Sequence, residues 1–563
     1  MKVLCRALIL AIVTVAAAGR VSAVEGLRGD PLAEADAAFA RGDYPRAALL
    51  LERQVDAAPG DAGLRLALAV TLLQMKDPVR AIPHLDAVLR MAPGAGVVRR
   101  LRDSAENSAV QRGLKTPRPL VLSAPKAPDR AGQDTSLQLL RDAAKRYPGN
   151  AALANLLADA CQLSGDLKCA EEWYIKASAL APRWTKPRVG LAIAVLDSDP
   201  PRAANLLEAV LEKEPMNAQA RLWLGDAYAR LGRLDDAMRC YRAAEASPET
   251  RPDAKVRIGT LLVRTSQVPR ALEEFQQATE QDPGNVAALA GVAQSNVLLN
   301  RPEEARQAIE QSKSAARETA PQTRARLYNV TGAVQISLGA HEPAIADLEK
   351  ATALEPENQD AYARLARAYR EAGTLGAEIQ RRERQLRSAP GDTRLLRFLA
   401  EAYAEAGDHR RQIAALDRLA SLDPAGAWLW RMREGEARWS LGERERALEA
   451  WLAAVDTGYP TRTEAIARSI LASGDASGFV TASLQRRPAT ARSLHLLYAL
   501  AEAGGDLHRA LELLDRVITM DPGNASLYGQ KGYLLRKMGR LEDAEQALRI
   551  QRSMDAGAAP SGR

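Results

Sequence analysis

Five histidines, His84, His341, His409, His495 and His508, are the residues of this 563-residue chain best suited to acid–base or metal chemistry. A zinc hydrolase needs two of them one helical turn apart with a glutamate between, and a structural metal site needs ligands in close pairs. None of the five has such a neighbour, and His341 ("LGAHEP") and His409 ("AGDHRR") recur at the same place after a glycine turn. All five read as solvated turn residues. The chain also lacks a G-x-S-x-G elbow, a phosphate-binding glycine loop and a dinucleotide fingerprint. No catalytic residue, metal site or cofactor is therefore expected, and the chemistry left to consider is recognition. Arginine forks suit carboxylate, sulfate or phosphate, and tryptophan rings suit sugar faces and peptide anchors.

The elements that hold these groups follow from composition and period. Aromatic residues are 4% of the chain, charged residues 26% and hydrophobic ones 47%, which excludes a disordered chain and a multi-span membrane protein and favours helices. Prolines fall at 59, 93, 148, 182, 215, 248, 283, 356, 390, 424, 488 and 522, with most neighbouring gaps of 33 to 35 residues. Between them one pattern returns: "LGDAY" at 224–228, then Gly232, "AMRCY" at 237–241 and Pro248. It returns as "VTGAV", "SLGAHEPA" and "LEP", as "LARAY", "EAGTL" and "SAP", and as "KGYLL" with "KMGRLEDA".

This pattern resembles the tetratricopeptide repeat, a 34-residue helix pair, over nearly the whole chain beyond residue 23, in about twelve or thirteen units. The resemblance implies an all-α fold, a right-handed superhelical solenoid of antiparallel helix pairs with an extended concave face. It gives the small residues a purpose. Ala158, Ala170 and Ala177 in one unit, and Gly225, Ala237, Gly332, Ala344, Gly532 and Ala544 in others, mark places where two helices approach closely. Gly165 turns the chain in the left-handed conformation, Pro182 stops the second helix, and Leu156, Leu157, Trp173 and Tyr174 supply bulk.

Mapped onto such an array, the first helix of each pair lines the concave wall. That places Arg367 and Arg370 on one such helix, Arg394 and Arg397 on the next, and Trp439 nearby. Asp360, Glu371 and Glu401 stand close enough to neutralise them, so an anion-binding groove and an internally paired face are both open. Trp439 is open between a stacking platform and ordinary packing, as are Trp428 and Trp430; Trp451 falls in the core. Glu378 and Arg382 replace the usual alanine and aromatic ring of a second helix, through either a loosened joint or a one-residue shift of register. Asn155 and Asn329 match one place of the family's carboxylate clamp, but the accompanying lysines are absent and that activity is not carried over.

Residues 1–23 carry Lys2 and Arg6, an apolar run from Ala7 to Ala18 and "VSA" ending at Ala23, which reads as a secretory signal cut near Ala23. An uncleaved inner-membrane anchor is the alternative. Removing Lys2, Arg6 and Arg20 lowers the net charge from +7 to +4, too little to imply nucleic acid. Cys161, Cys169 and Cys240 then remain, as one disulfide plus a free thiol or as three small buried side chains. The expected plan is an N-terminal module at 24–102, a proline-rich linker at 103–135, a main array at 136–460, a degenerate unit lacking a clear pair of turn glycine and proline at 461–487, C-terminal repeats at 488–550 and a disordered tail at 551–563. The chain looks like periplasmic scaffolds of exopolysaccharide systems, which implies protein partners in the envelope, polysaccharide as a second ligand, no membrane span after cleavage, and a pore carried by another protein. Two rivals are a general envelope-assembly adaptor and a regulatory subunit of a glycosyltransferase or hydrolase.

Overall fold

The structure, a computed structural model, describes residues 30–112, 114, 130–319, 321–456 and 460–555. The expected signal at 1–23 lies outside them. The described residues form helices and turns without a strand, and the chain divides into two compact units at Ala194–Val195.

The first unit holds α1 (Pro31–Arg41), α2 (Tyr44–Ala57), α3 (Ala62–Gln74), α4 (Pro78–Met91), α5 (Gly96–Gln111), α6 (Arg130–Arg146), α7 (Ala151–Leu163), α8 (Leu167–Leu180) and most of α9 (Lys186–Val195). The second begins with α10 (Pro200–Lys213), α11 (Ala218–Arg230), α12 (Leu234–Glu245), α13 (Arg251–Arg264), α14 (Val268–Gln281), α15 (Val286–Leu298) and α16 (Pro302–Ala315). It continues through α17 (Pro321–Ser337), α18 (His341–Leu354), α19 (Gln359–Glu371), α20 (Leu375–Ser388), α21 (Thr393–Glu405), α22 (His409–Leu422) and α23 (Ala427–Ser440). It closes with α24 (Arg444–Ala454), α25 (Pro460–Ala472), α26 (Ala476–Gln485), α27 (Ala491–Ala503), α28 (Leu507–Met520), α29 (Ala525–Lys537) and α30 (Leu541–Asp555).

Short polar side chains start these helices. Asn150 Oδ1 accepts the Leu153 N–H at 3.0 Å to open α7, and Asp166 accepts the Cys169 N–H at 3.1 Å to open α8. Between the two helices Gly165 sits at φ +84°, a left-handed conformation that costs a glycine nothing. Lys76, Ser266 and Asn300 hold the corresponding turn at φ 57° to 61° without that freedom. Gly474, at φ +67°, supplies the turn within 461–487, so the glycine that seemed missing there is present.

Close approach is what the small residues provide. A Cβ on Gly225 would lie 2.4 Å from the Tyr241 ring, one on Gly332 2.5 Å from Leu348, and one on Gly532 2.6 Å from Leu548. Ala158, Ala170, Ala177, Ala237, Ala344 and Ala544 are all fully buried. Each hairpin thus presses a large second-helix side chain against the first helix backbone, leaving its far side for the next pair.

Two irregular pairs break this rule. Helix α19 packs on α18 and α21, and helix α25 mainly on α27, each in preference to its own hairpin partner. In the first case Gly373 turns normally at φ +73° and α20 starts on schedule at Leu375, so register is kept and the joint is spread. Buried Glu378 accepts from Arg381 at 2.6 Å and also pairs with Arg382, whose guanidinium lies 4.0 Å from the Phe398 ring centre.

The expected boundaries also move. Helix α5 runs to Gln111 and α6 begins at Arg130, so both ends of the expected 103–135 linker are helical. The apolar series Val97, Val98, Ala105 and Ala109 explains the extension of α5 by burying one face. The two sides of that segment pack as one unit: Tyr147 donates to Asp61 at 2.7 Å, Arg146 pairs with Asp61 at 2.9 Å, and Asn150 donates to Asp36 at 2.7 Å. Residues 551–555, expected in a disordered tail, complete α30 because Gln551 and Asp555 are buried.

Ala170 is fully buried where α7 and α8 meet, so Ala170→Leu is expected to overpack that contact and destabilise the first unit by about 1–3 kcal/mol. A denaturant melt shows this as an earlier midpoint with helicity unchanged beforehand.

Candidate interaction site

The arginine stripe does not present four forks to one groove. Arg367 donates to Glu371 at 2.7 Å on its own helix, and Arg370 reaches Glu405 on α21 at 2.6 Å. Arg397 is 4% exposed, pairs with Asp423 at 2.8 Å and with Glu357, and lies 4.7 Å from the Trp430 ring centre. Helix α21 is buried continuously from Leu396 to Tyr403, so it has less open face than a typical first helix and Arg397 falls inside it. Arg394 remains exposed and makes no ion pair among the described residues. Of the three neutralising acids, Glu371 acts as expected. Asp360 instead takes Arg364 at 2.9 Å, and buried Glu401 takes Arg433 at 3.0 Å and Gln359 at 2.6 Å. Burial pushes the Glu401 carboxyl above its usual range.

Trp439 belongs to an aromatic cluster. Its ring lies 5.9 Å from Trp451 and 5.7 Å from Phe479, with Arg444 5.3 Å from its centre. It is half-buried there and is not a free stacking platform. Trp430 and Trp451 are core, as is His495, which was expected in solvent. That ring sits fully buried, bonded to Gln530 on α29 at 3.0 Å and stacked on Tyr498, because α27 is covered by α25 on one side and by α29 residues on another. Burial pushes its pKa down, so the ring is held neutral.

A second polar site lies elsewhere in the second unit, where its two ends meet. Helix α10 packs against α29 and α30. Arg202 donates to Asp555 through Nε at 2.9 Å and Nη2 at 2.6 Å, across 353 residues, with both side chains buried. Asn205 donates to Gln551 at 2.8 Å, and Arg552 returns a bond to Asn205 at 2.7 Å. Arg536 forks onto Glu208 with both contacts at 3.0 Å, and the Tyr533 hydroxyl donates to the Leu231 carbonyl at 3.1 Å. Thr461, opening α25, donates to the Ser198 carbonyl through its hydroxyl at 2.8 Å and its backbone at 3.2 Å.

Behind these contacts is a cavity of about 430 Å³. Two ion pairs on its wall are complete, Arg230 with Asp197 at 2.8 Å and Lys537 with Glu502 at 3.0 Å. Glu464 and Arg468, one turn apart on α25, also line it, and neither charged group has an ion-pair partner among the described residues. Burial first, then the Glu502 charge, push the Glu464 carboxyl up to about 7. Burial likewise lifts Asp199, which caps α10, to about 6 against the opposing pull of Arg202. None of these residues was singled out from sequence: no local motif links Arg202 to Asp555 or Glu208 to Arg536. Among the described residues no group of three His, Cys, Asp or Glu side chains is placed to hold a metal ion.

Both carboxyls prefer their protons in the folded state. Their contribution is complete below the unfolded value near 4 and is lost as pH rises through about 6 for Asp199 and about 7 for Glu464. Glu464→Gln removes the second loss. The variant's melting temperature is expected to gain on that of the wild type between pH 5 and pH 8, whereas a gap that stays constant with pH counts against the Glu464 assignment.

Solved structures of similar repeat type include MamA at 19% identity, covering 28% of this chain and 94% of that one with a TM-score of 0.25. TTC0263, a thermophilic TPR protein in Thermus thermophilus, shares 27% identity over 33% of this chain and 99% of its own, with a TM-score of 0.26. The Cut9–Hcn1 hetero-tetramer of APC/C shares 15% identity over 76% of this chain and 84% of its own, with a TM-score of 0.31. None of these superpositions is close enough to carry a function across, and no curated protein matches the chain. Family profiles, each described as a tetratricopeptide repeat, match residues 195–252 and 256–321, 38–103 and 501–558, and 325–358, together half of the sequence. The chain belongs to the tetratricopeptide repeat family.

Proposed function

We propose that this protein is an exported, non-enzymatic scaffold that joins protein partners in the cell envelope, within a system that makes and secretes exopolysaccharide. Tetratricopeptide arrays are scaffolds for protein–protein interaction, and that much follows from the family. The observation that carries export is the disulfide between Cys161 at the end of α7 and Cys169 at the start of α8, with Cys240 left free. Such bonds persist in oxidising compartments, and the leader-like first 23 residues point the same way. Among the described residues no helix is long and apolar enough to cross a membrane, which fits a chain held in place by its partners.

The alternative, a general assembly adaptor, draws support from Arg394, whose guanidinium has no ion-pair partner among the described residues and is free to take an acidic segment. A regulatory subunit of a glycosyltransferase or hydrolase has no specific feature in its favour.

Two measurements test these readings. Protein recovered from its native compartment is expected to begin at Val24, to give one alkylated cysteine when denatured without reductant and three after reduction. Retention of Cys5 with the disulfide intact selects the uncleaved anchor, and three reactive thiols among Cys161, Cys169 and Cys240 without reductant remove export. Arg367→Glu combined with Arg394→Glu is expected to abolish capture of synthase and pore components from envelope extracts while circular dichroism stays unchanged; capture of assembly machinery in their place favours the adaptor, and undiminished capture excludes the arginine stripe.

A further inference from the structure

The second unit joins its own ends, and that closure differs from every other joint within it. Consecutive helices from α10 to α30 are tied by short covalent loops, so separating any neighbouring pair means pulling against the chain. At the α10–α29–α30 seam the two faces are up to 353 residues apart in sequence and no short covalent loop joins them. Those contacts are rich in groups that water can satisfy equally well: Arg202 with Asp555, Asn205 with Gln551, Glu208 with Arg536, and Thr461 with the Ser198 carbonyl. A buried ion pair returns its full hydration when it separates, so it adds specificity of docking and little net resistance to opening. The spread pairs α19–α20 and α25–α26 lie within the same array and supply places where curvature can change without breaking a regular hairpin.

We infer that the second unit is a gated ring that opens at the α10–α29–α30 seam, with α10 and α29 losing helical hydrogen bonds as they part. Opening widens the cavity bounded by Arg230, Glu464, Arg468 and Lys537, which solvent already reaches at Arg230 and Arg468, and gives a partner segment lateral access to the inner wall, which a permanently closed ring would admit only by threading a free end. Arg202–Asp555 sets the register of the closed seam, since it is the most deeply buried ion pair there, and removing its carboxylate leaves Arg202 buried without that partner in the closed state alone. This inference stands apart from export and from the envelope reading.

Hydrogen exchange of the full chain, followed by mass spectrometry, tests it. In the wild type, buried amides of α10 and α29 are expected to exchange at least tenfold faster than those of α13 to α16, although none of these helices is a chain end. Asp555→Asn is expected to accelerate α10 and α29 about a further tenfold and leave α13 to α16 unchanged. A disulfide staple between Asn205→Cys and Gln551→Cys, made with Cys240→Ser, is expected to slow α10 and α29 to the rate of α13 to α16. Equal rates in the wild type, or a stapled protein that exchanges as the wild type does, overturns the gate. If Asp555→Asn fails to fold, the stapled and wild-type proteins alone decide. A wild-type dimer by light scattering, with seam contacts made between copies, overturns it as well.

Discussion

A two-helix unit has two apolar faces and can cover only one of them by folding on itself. Everything in this protein follows from that deficit. Each hairpin brings a large residue, Tyr241 or Leu348, against a glycine on its partner helix and leaves the outer side of the second helix for the next unit. Stacking passes the deficit along the array without removing it. The first unit resolves it by packing its helices back across the proline-rich segment through Asp61, Tyr147 and Asn150, and the second by docking its last hairpin on its first helix.

Small first-helix residues fix where backbones meet, but specificity between units rests on charge. Lys255 is buried between Glu245 at 2.7 Å and Glu274 at 3.1 Å, and Arg257 reaches Asp226 at 2.8 Å beside the Tyr241 hydroxyl. Pairs of this kind add modest net stability, yet a wrong neighbour would leave a charge without a partner in a dry site, at a cost of roughly 3–5 kcal/mol. In an array of near-identical units, that penalty is what keeps each hairpin next to the right one.

The sequence made the repeat plain because its determinants are local. The proline period, the turn glycines and the places of Ala158, Gly225 and Gly532 depend on contacts within one hairpin: Ala158 is fully buried, Gly225 lies against Tyr241 and Gly532 against Leu548. What depended on how many neighbours cover a face was not legible. Arg397 and His495 sit at positions a consensus would leave open, and both are buried because their helices are enclosed on an additional side. The seam is the extreme case. Arg202 reads as one more helix arginine, and only tertiary closure pairs it with Asp555. Gly474 escapes the pattern for a different reason: α26 is only ten residues long, which displaces the closing proline from its usual distance.

One consequence of the closure concerns where the polypeptide is cut. Because α10 and α30 touch, the point at which the chain of the second unit starts is nearly arbitrary to its packing, provided the order of its hairpins is kept. A circularly permuted chain, with those ends linked and a new break placed in the turn at Gly339 or Gly407, retains every interhelical contact. Evolution could therefore have rotated the starting point of such a gene segment without redesigning a single interface.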